Sequence, residues 1–270
     1  MTQRELQQRI SSVFAWHRAF GNAATETQFG LFVSNDAIPD IWDANHVSLV
    51  TAASDADIEA VHSQLDLHLA NCRHRAATTD LFTPDAFTAS LALRGYKERP
   101  VTIQMVLYQL NLPATLPEIT IEPVKSDGDW AVLKALVRAD HDEGARSGGV
   151  PFDDDIVDSM VSTYRKKAAI QHFFVARAGS IACAYGSAVC GPENMGMLED
   201  YFTLPSFRGR AIAAALVAHC INYLKQRDYS TIFIGAHAKE RAKHLYHRLG
   251  FEPVMLTRQW LKSLSSAQTP

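Results

Sequence analysis

The segment Met197-Leu198-Glu199-Asp200-Tyr201-Phe202-Thr203-Leu204-Pro205-Ser206-Phe207-Arg208-Gly209-Arg210-Ala211-Ile212-Ala213 decides how this chain is read. Its first part, up to Leu204, has the composition of a strand, and Pro205 ends it because proline has no amide donor for a ladder. Beyond the loop, Ile212, Leu216, Val217, Cys220 and Leu224 recur at the spacing of one buried helical face. The first N–H groups of such a helix have no partner within it, and the helix dipole adds partial positive charge at the same end. Gly209, Ala211 and Ala213 keep side-chain bulk away from those groups, and Arg208 and Arg210 bring charge. A strand, a loop of small residues and a helix start can hold a phosphate against the main chain. An ordinary surface turn into an amphipathic helix has the same small loop, so the elements that follow decide between the two. Thr231-Ile232-Phe233-Ile234-Gly235 reads as a buried strand, and Lys239 to Leu249 as a second helix stopped by Gly250.

This order resembles the acyl-CoA-binding half of the GNAT N-acetyltransferase superfamily. The family's loop reads Arg/Gln-x-x-Gly-x-Gly/Ala; here it is Arg208-Gly209-Arg210-Ala211-Ile212-Ala213, with Ala211 where the first glycine is usual. The family's Asn-x-x-Ala-x-x-x-Tyr helix is matched by Lys239, Ala242 and Tyr246, followed by Gly250-Phe251, with lysine in place of asparagine. The resemblance runs from about Glu118 to Leu264 and is silent on the substrate. It implies acetyl-CoA as co-substrate, no metal, and a cofactor site made of Phe202, Thr203, Leu204, Arg208, Gly209, Arg210, Ala211, Ile212, Ala213, Lys239 and Ala242. It also implies Tyr246 as the acid that protonates the CoA thiolate, and backbone N–H groups near Thr203 and Leu204 as oxyanion donors.

Transfer to an amine also needs a base. Glu199 and Asp200 stand on the strand that lines the family's acyl site. Strand alternation puts only one of two neighbours in the cleft; we favour Glu199, with Asp200 as the other choice. A solvent-facing or ion-paired reading of both stands beside it. Asp140, His141, Asp142 and Glu143 end the first helix of this half. In the family the loop after that helix meets the acceptor, and an acidic cluster attracts a cationic amine, which makes Asp140, His141 and Glu143 candidates for substrate binding. A solvated helix end is the plain alternative. His237, His244 and His247 have no companion set with metal-ligand spacing.

The 270 residues are enough for one large domain or two ordinary ones. A formal net charge of -3 gives no reason to expect nucleic acid as a partner. The start Met1-Thr2-Gln3-Arg4-Glu5-Leu6 has no apolar signal core, and no apolar run approaches the roughly 20 residues that span a bilayer. Cys72, Cys183, Cys190 and Cys220 are scattered, as in a reducing compartment, so a cytoplasmic protein is expected.

The N-terminal half reads as a helix over Arg4–Ala19 and strands at Thr27–Val33 and His46–Val50. A helix capped by Ser54 and Asp57 follows, then a strand at His74–Thr79, a helix at Pro84–Leu93 and a strand at Val101–Leu107. That order repeats the C-terminal one, and Leu93-Arg94-Gly95-Tyr96 answers Arg248-Leu249-Gly250-Phe251, which suggests a degenerate duplication. The turn Ala52-Ala53-Ser54-Asp55-Ala56-Asp57-Ile58-Glu59 carries carboxylates that would repel a pyrophosphate. Asn111-Leu112-Pro113-Ala114-Thr115-Leu116-Pro117 reads as the linker. The C-terminal half continues with a strand at Glu118–Val124 and a helix capped at Ser126 or Asp127 and carrying Trp130, Leu133, Leu136 and Val137. A loop at Ser147-Gly148-Gly149-Val150-Pro151-Phe152 leads to a helix from Asp153 with Ile156, Met160 and Tyr164 on one face. The strands His172–Ala178 and Ile181–Cys190 read as a hairpin.

The expected fold is α/β (α+β): two GNAT-like halves, 1–112 without a CoA loop and 118–264 with one. Each is expected to be a mixed, mostly antiparallel twisted sheet flanked by helices. The expected function is acetyl transfer from acetyl-CoA to an amine of a small molecule or peptide, by direct attack in a ternary complex. The alternative is a non-catalytic acyl-CoA-binding regulatory or sensor protein.

Overall fold

The computed structural model describes residues 1–115, 117–146 and 153–264. Leu116 of the linker and the expected loop Ser147–Phe152 lie outside the described residues. In chain order the elements are α1 (Gln3–Ala19), β1 (Ala23–Thr27), β2 (Gly30–Ser34), β3 (His46–Ser48), α2 (Asp55–His68), β4 (His74–Thr79), α3 (Asp85–Leu93), β5 (Lys97–Glu98) and β6 (Thr102–Leu107). Then come β7 (Thr120–Pro123), α4 (Asp127–Arg146), α5 (Asp154–Lys166), β8 (Gln171–Ala178), β9 (Ile181–Cys190), β10 (Met195–Thr203), α6 (Ile212–Lys225), β11 (Thr231–His237), α7 (Ala242–Arg248) and β12 (Phe251–Ser263).

The chain divides into two compact units that do not follow its order. The first contains Met1–Gln104, Ala236–Lys243 and the chain from Pro253 onward; the second contains Met105–Gly235 and His244–Glu252.

In the first unit, β1–β2 and β2–β3 are antiparallel, β3–β4 is parallel, and Arg258–Ser263 of β12 pairs antiparallel with β4. Helix α1 opens with a reciprocal cap between Thr2 and Glu5, and Ser54 caps α2 through the Asp57 N–H. Phe32, Val47, Val61, Leu65, Phe87 and Leu91 lie in one buried cluster. The stretch Thr27–Val33, expected as one strand, is a hairpin. The Thr27 hydroxyl accepts from the Phe29 N–H at 3.1 Å and donates to the Gly30 carbonyl at 3.2 Å, which closes a turn between β1 and β2 at the start of the expected strand.

In the second unit, β7–β8, β8–β9 and β9–β10 are antiparallel, and β10–β11 is parallel. Both units thus hold the mixed, mostly antiparallel sheets that the sequence leads one to expect. Ser126 and Asp129 cap α4 reciprocally, and Asp153 caps α5. Trp130, Leu133, Leu136 and Val137 of α4 pack with Val157 and Val161 of α5 and with Phe173, Val175, Tyr185 and Phe202 of the sheet. The buried face of α5 is Val157 and Val161, so the expected face of Ile156, Met160 and Tyr164 is one residue out of register and half-buried. Helix α6 buries most of its length, including Leu216, Val217, Cys220 and Leu224. No helix among the described residues is long and apolar enough to cross a membrane.

Helix α7 begins at Ala242 rather than Lys239, because Ala238–Arg241 form a turn. Its end is set by Gly250, which has φ +97°. A Cβ there would lie 1.6 Å from the Gln109 carbonyl oxygen. The same approach lets Tyr108 N–H donate to the Gly250 carbonyl and Asn111 N–H to that of Leu249, at 3.1 and 3.0 Å. Gly250→Ala would force both a left-handed side-chain residue and a backbone shift. It is expected to destabilise the protein by about 3 kcal/mol or more, read from a urea unfolding curve. A loss below about 1 kcal/mol would contradict this account of the helix end.

Candidate active site

The strand β10 is interrupted in its middle. Glu199 pairs with Ser187 and Phe202 with Tyr185, so Asp200 and Tyr201 together oppose Gly186. This is a bulge, with two residues facing one. Gly186 allows it: a Cβ there would stand 2.4 Å from the Tyr201 ring, which covers the glycine. The Tyr201 hydroxyl donates to the Ser187 carbonyl at 3.3 Å. Burial first, then the neighbouring Cys220, keeps the Tyr201 phenol well above its ordinary pKa, and Tyr246 and Asp200 act in the same direction. Asp200 itself has φ +57°.

The bulge overturns the alternation expected for Glu199 and Asp200. Glu199 lies opposite Ser187, and residues opposite one another in an antiparallel pair share a face. Asp200 turns to that same side. Its Oδ2 accepts from the Gln171 amide at 2.7 Å, and its Oδ1 accepts from the Tyr164 hydroxyl at 3.5 Å. Next to them the Tyr185 hydroxyl donates to Asp140 Oδ2 at 2.9 Å, and burial followed by the Asp140 charge holds that phenol protonated. Gln171, Tyr164, Tyr185, Ser187 and Gly186 are thus parts of the site that the sequence reading did not pick out. Only the small residue at Gly186 inside an apolar strand could have signalled the bulge.

Beyond β10, the Leu204 N–H donates to the Cys183 carbonyl at 2.9 Å and is engaged there rather than presented as an oxyanion donor. Arg208 donates through Nε to the Thr203 carbonyl at 2.9 Å and through both terminal nitrogens to Glu143, at 2.7 and 2.6 Å. Its guanidinium also stands 5.6 Å from the centre of the Phe202 ring. Glu143 therefore faces the loop, and the hydrogen bonds from Arg208 hold its carboxyl below the usual range. His141 is half-buried, and loss of solvent pulls its pKa below the ordinary value, with Arg138 adding to the shift. Arg210 is exposed, with its guanidinium 5.2 Å from the Phe207 ring. Gly209 has φ +75° and open space where a Cβ would be. The first helical bond of α6 runs from Ala215 N–H to the Ala211 carbonyl, so the N–H groups of Ile212, Ala213 and Ala214 have no helical partner. Tyr246, 6% exposed, meets the edge of Phe251 with ring centres 6.1 Å apart.

Lys239 and Ala242 belong to the segment grouped with the first unit. Lys239 is exposed in the turn after β11, and Ala242 is half-buried at the start of α7. Among the described residues no group of three His, Cys, Asp or Glu side chains is placed to hold a metal ion.

Residues 137–251 match the acetyltransferase (GNAT) family. This segment is a GNAT domain. The fold extends the likeness over the whole chain. A functionally unknown conserved protein from Staphylococcus epidermidis aligns with a TM-score of 0.69 at 14% identity, over 95% of this chain and 100% of the other. A GCN5-related N-acetyltransferase from Kribbella flavida aligns with a TM-score of 0.69 at 14% identity, over 94% of each chain. A tandem GNAT protein from the clavulanic acid biosynthesis pathway aligns with a TM-score of 0.59 at 12% identity, over 81% of this chain and 75% of the other. At such identities these structures speak for the tandem fold alone. No curated protein matches the chain.

The GNAT domain explains why glycine is usual at position 211. Ala211 is the N-cap of α6 with φ 58° and ψ 12°, and no side chain caps the helix there. A left-handed alanine costs roughly 1–2 kcal/mol, partly offset in glycine by its extra freedom when unfolded. Ala211→Gly is therefore expected to raise stability by about 0.5–1 kcal/mol, measured as a higher urea midpoint at constant m-value. An unchanged or lower midpoint would mean that Ala211 is not strained in solution.

Proposed function

We propose that the GNAT domain moves an acetyl group from acetyl-CoA to the amine of a small molecule or peptide, by direct attack in a ternary complex. The observation that carries this is the start of α6. The N–H groups of Ile212, Ala213 and Ala214 point out of the helix behind a glycine with open space around it, and the loop follows directly on a bulged strand. An anionic pyrophosphate fits such a donor set without any metal. Arg208 and Glu143 brace this loop, and Arg210 adds charge at its rim.

In this reading Glu199, with Asp200 beside it, takes the proton of the amine, whose nitrogen attacks the thioester carbon. The Thr203 N–H is the proposed donor to the developing oxyanion, since the Leu204 N–H is engaged with Cys183. As the carbon–sulfur bond breaks, Tyr246 gives its proton to the thiolate. Asp140 and His141 on α4 stand on the acceptor side, with Asp140 favouring a cationic amine. The half 118–264 binds one CoA. The half 1–112 binds none, because the start of α2 is satisfied by the Ser54 hydroxyl and carries Asp55 and Asp57 in its first turn. The free cysteines fit a cytoplasmic setting.

Calorimetry with acetyl-CoA is expected to give one site per chain, and a panel of primary amines is expected to include one that releases thiol. Binding without thiol release from any amine would favour the acyl-CoA sensor instead; no binding, or two equivalent sites, would remove the reading. Tyr246→Phe keeps the ring and removes the donor. Its single-turnover rate is expected to fall by about 10²-fold with acetyl-CoA affinity within about twofold of the parent. An unchanged rate would make Tyr246 a packing residue.

A further inference from the structure

Behind the bulge lies a buried polar chain for which the acetyl-transfer roles give no account. Gln171 opens β8 and is 1% exposed. Its amide nitrogen donates to the Ser187 hydroxyl at 2.8 Å and to Asp200 Oδ2 at 2.7 Å. Ser187, 0% exposed, donates in turn to the Glu199 carbonyl at 2.8 Å. The Ser187 carbonyl accepts from Tyr201 at 3.3 Å. One side chain on β8 is thereby tied to the Asp200 carboxylate directly and to the Glu199 carbonyl through the Ser187 hydroxyl, while Tyr201 meets the main chain of the same Ser187. Packing alone does not ask for this. At that depth an apolar side chain fills the space without loss of solvent contacts, whereas an amide is tolerated only because its donors are satisfied. Asp200 also holds a left-handed conformation, which a residue with a side chain keeps only where its surroundings over-determine it.

We propose that Gln171 is a positioning residue of the catalytic strand: it holds the bulge and aims the Asp200 carboxylate, and so sets the geometry in which Glu199 and Asp200 receive the amine proton. This rests on the acetyl-transfer reading. Gln171 neither gives nor takes a proton. The amine proton passes to a carboxylate as the nitrogen–carbon bond forms, and the neutral amide stabilises the ionised acceptor without competing for the proton.

The titratable groups facing Asp200 come from every element around it. Glu199 and Tyr201 flank it on β10, Tyr164 reaches it from α5, Tyr185 lies near it on β9, and Asp140 of α4 stands behind Tyr185. Gln171 faces Asp200 among these groups without titrating itself. A donor bond to the charged form favours ionisation, so its loss moves the Asp200 titration to higher pH; a second carboxylate in its place moves it further in the same direction.

The experiment is a ¹³C NMR titration of the Asp200 carboxyl in the full chain, with the resonance assigned by Asp200→Asn. Gln171→Met is expected to move the midpoint up by about 1 pH unit, and Gln171→Glu to move it at least as far and to split the titration into two steps. With an amine that turns over, the acid limb of kcat/KM for that amine moves with it in Gln171→Glu, while acetyl-CoA affinity stays within about twofold. If neither variant folds, the parent alone decides: the Gln171 side-chain amide protons should titrate together with the Asp200 carboxyl and stop doing so in Asp200→Asn. Coincident Asp200 titrations in parent and folded variants, or an amide indifferent to Asp200, would overturn the proposal. An acid limb that stays put would overturn it as well. If no amine turns over, the acetyl-transfer reading fails by itself, and the titrations still decide whether Gln171 controls Asp200.

Discussion

The close contact of the Tyr201 ring with Gly186 accompanies the bulge on which the arrangement of polar groups in the second unit depends. A Cβ on Gly186 would stand 2.4 Å from the Tyr201 ring, so a side chain there would displace the ring from its place beside the bulge. An unbulged β10 would alternate in the ordinary way, so Glu199 and Asp200 would point to opposite faces. With the bulge in place both fall on the side of α4 and α5, where Gln171, Tyr164, Tyr185 and Asp140 already form hydrogen bonds. The bulge, made where β9 carries a glycine, thus gathers these polar groups on one face of the sheet.

The loop after β10 depends on a different balance. Its main chain carries unpaired donors and its arginines carry positive charge, which by themselves leave an open segment poorly held. Arg208 resolves this by making three hydrogen bonds inward, one to the strand end at Thr203 and two to Glu143 on α4. A bidentate arginine–carboxylate pair fixes orientation as well as distance. Glu143, which the sequence offered as a candidate for substrate binding, is engaged by Arg208 and ties the loop to α4.

Much of the architecture was legible from apolar spacing and caps. The helices α1, α2, α3 and α4, the strands β4 and β6 and the β8–β9 hairpin lie close to where periodicity and turn residues put them. The failures share a cause, which is that a side chain can override a pattern. Thr27 bonds forward to Phe29 and Gly30 and places a hairpin turn at the start of the expected strand. The half-buried Tyr164, whose hydroxyl reaches Asp200, stood in the pattern as a core residue and pulled the reading of α5 one position out of register. At the candidate site, the small-residue loop before α6 was readable because small residues and a helix start act locally. Gln171, Ser187 and Tyr185 were not, because their meaning lies in cross-strand neighbours that no local spacing records.

The Arg208–Glu143 pair joins the loop proposed for the nucleotide to the helix proposed for the acceptor. Such a joint carries information both ways. If a bound pyrophosphate draws Arg208 toward itself, Glu143 is released and the electric field along α4 becomes more negative. By thermodynamic reciprocity, whatever factor the nucleotide adds to the affinity for a cationic acceptor, the acceptor returns to the nucleotide. The pair is exposed enough for dissolved salt to screen it, so the strength of this conversation between the two ligands is set partly by the ionic composition of the medium.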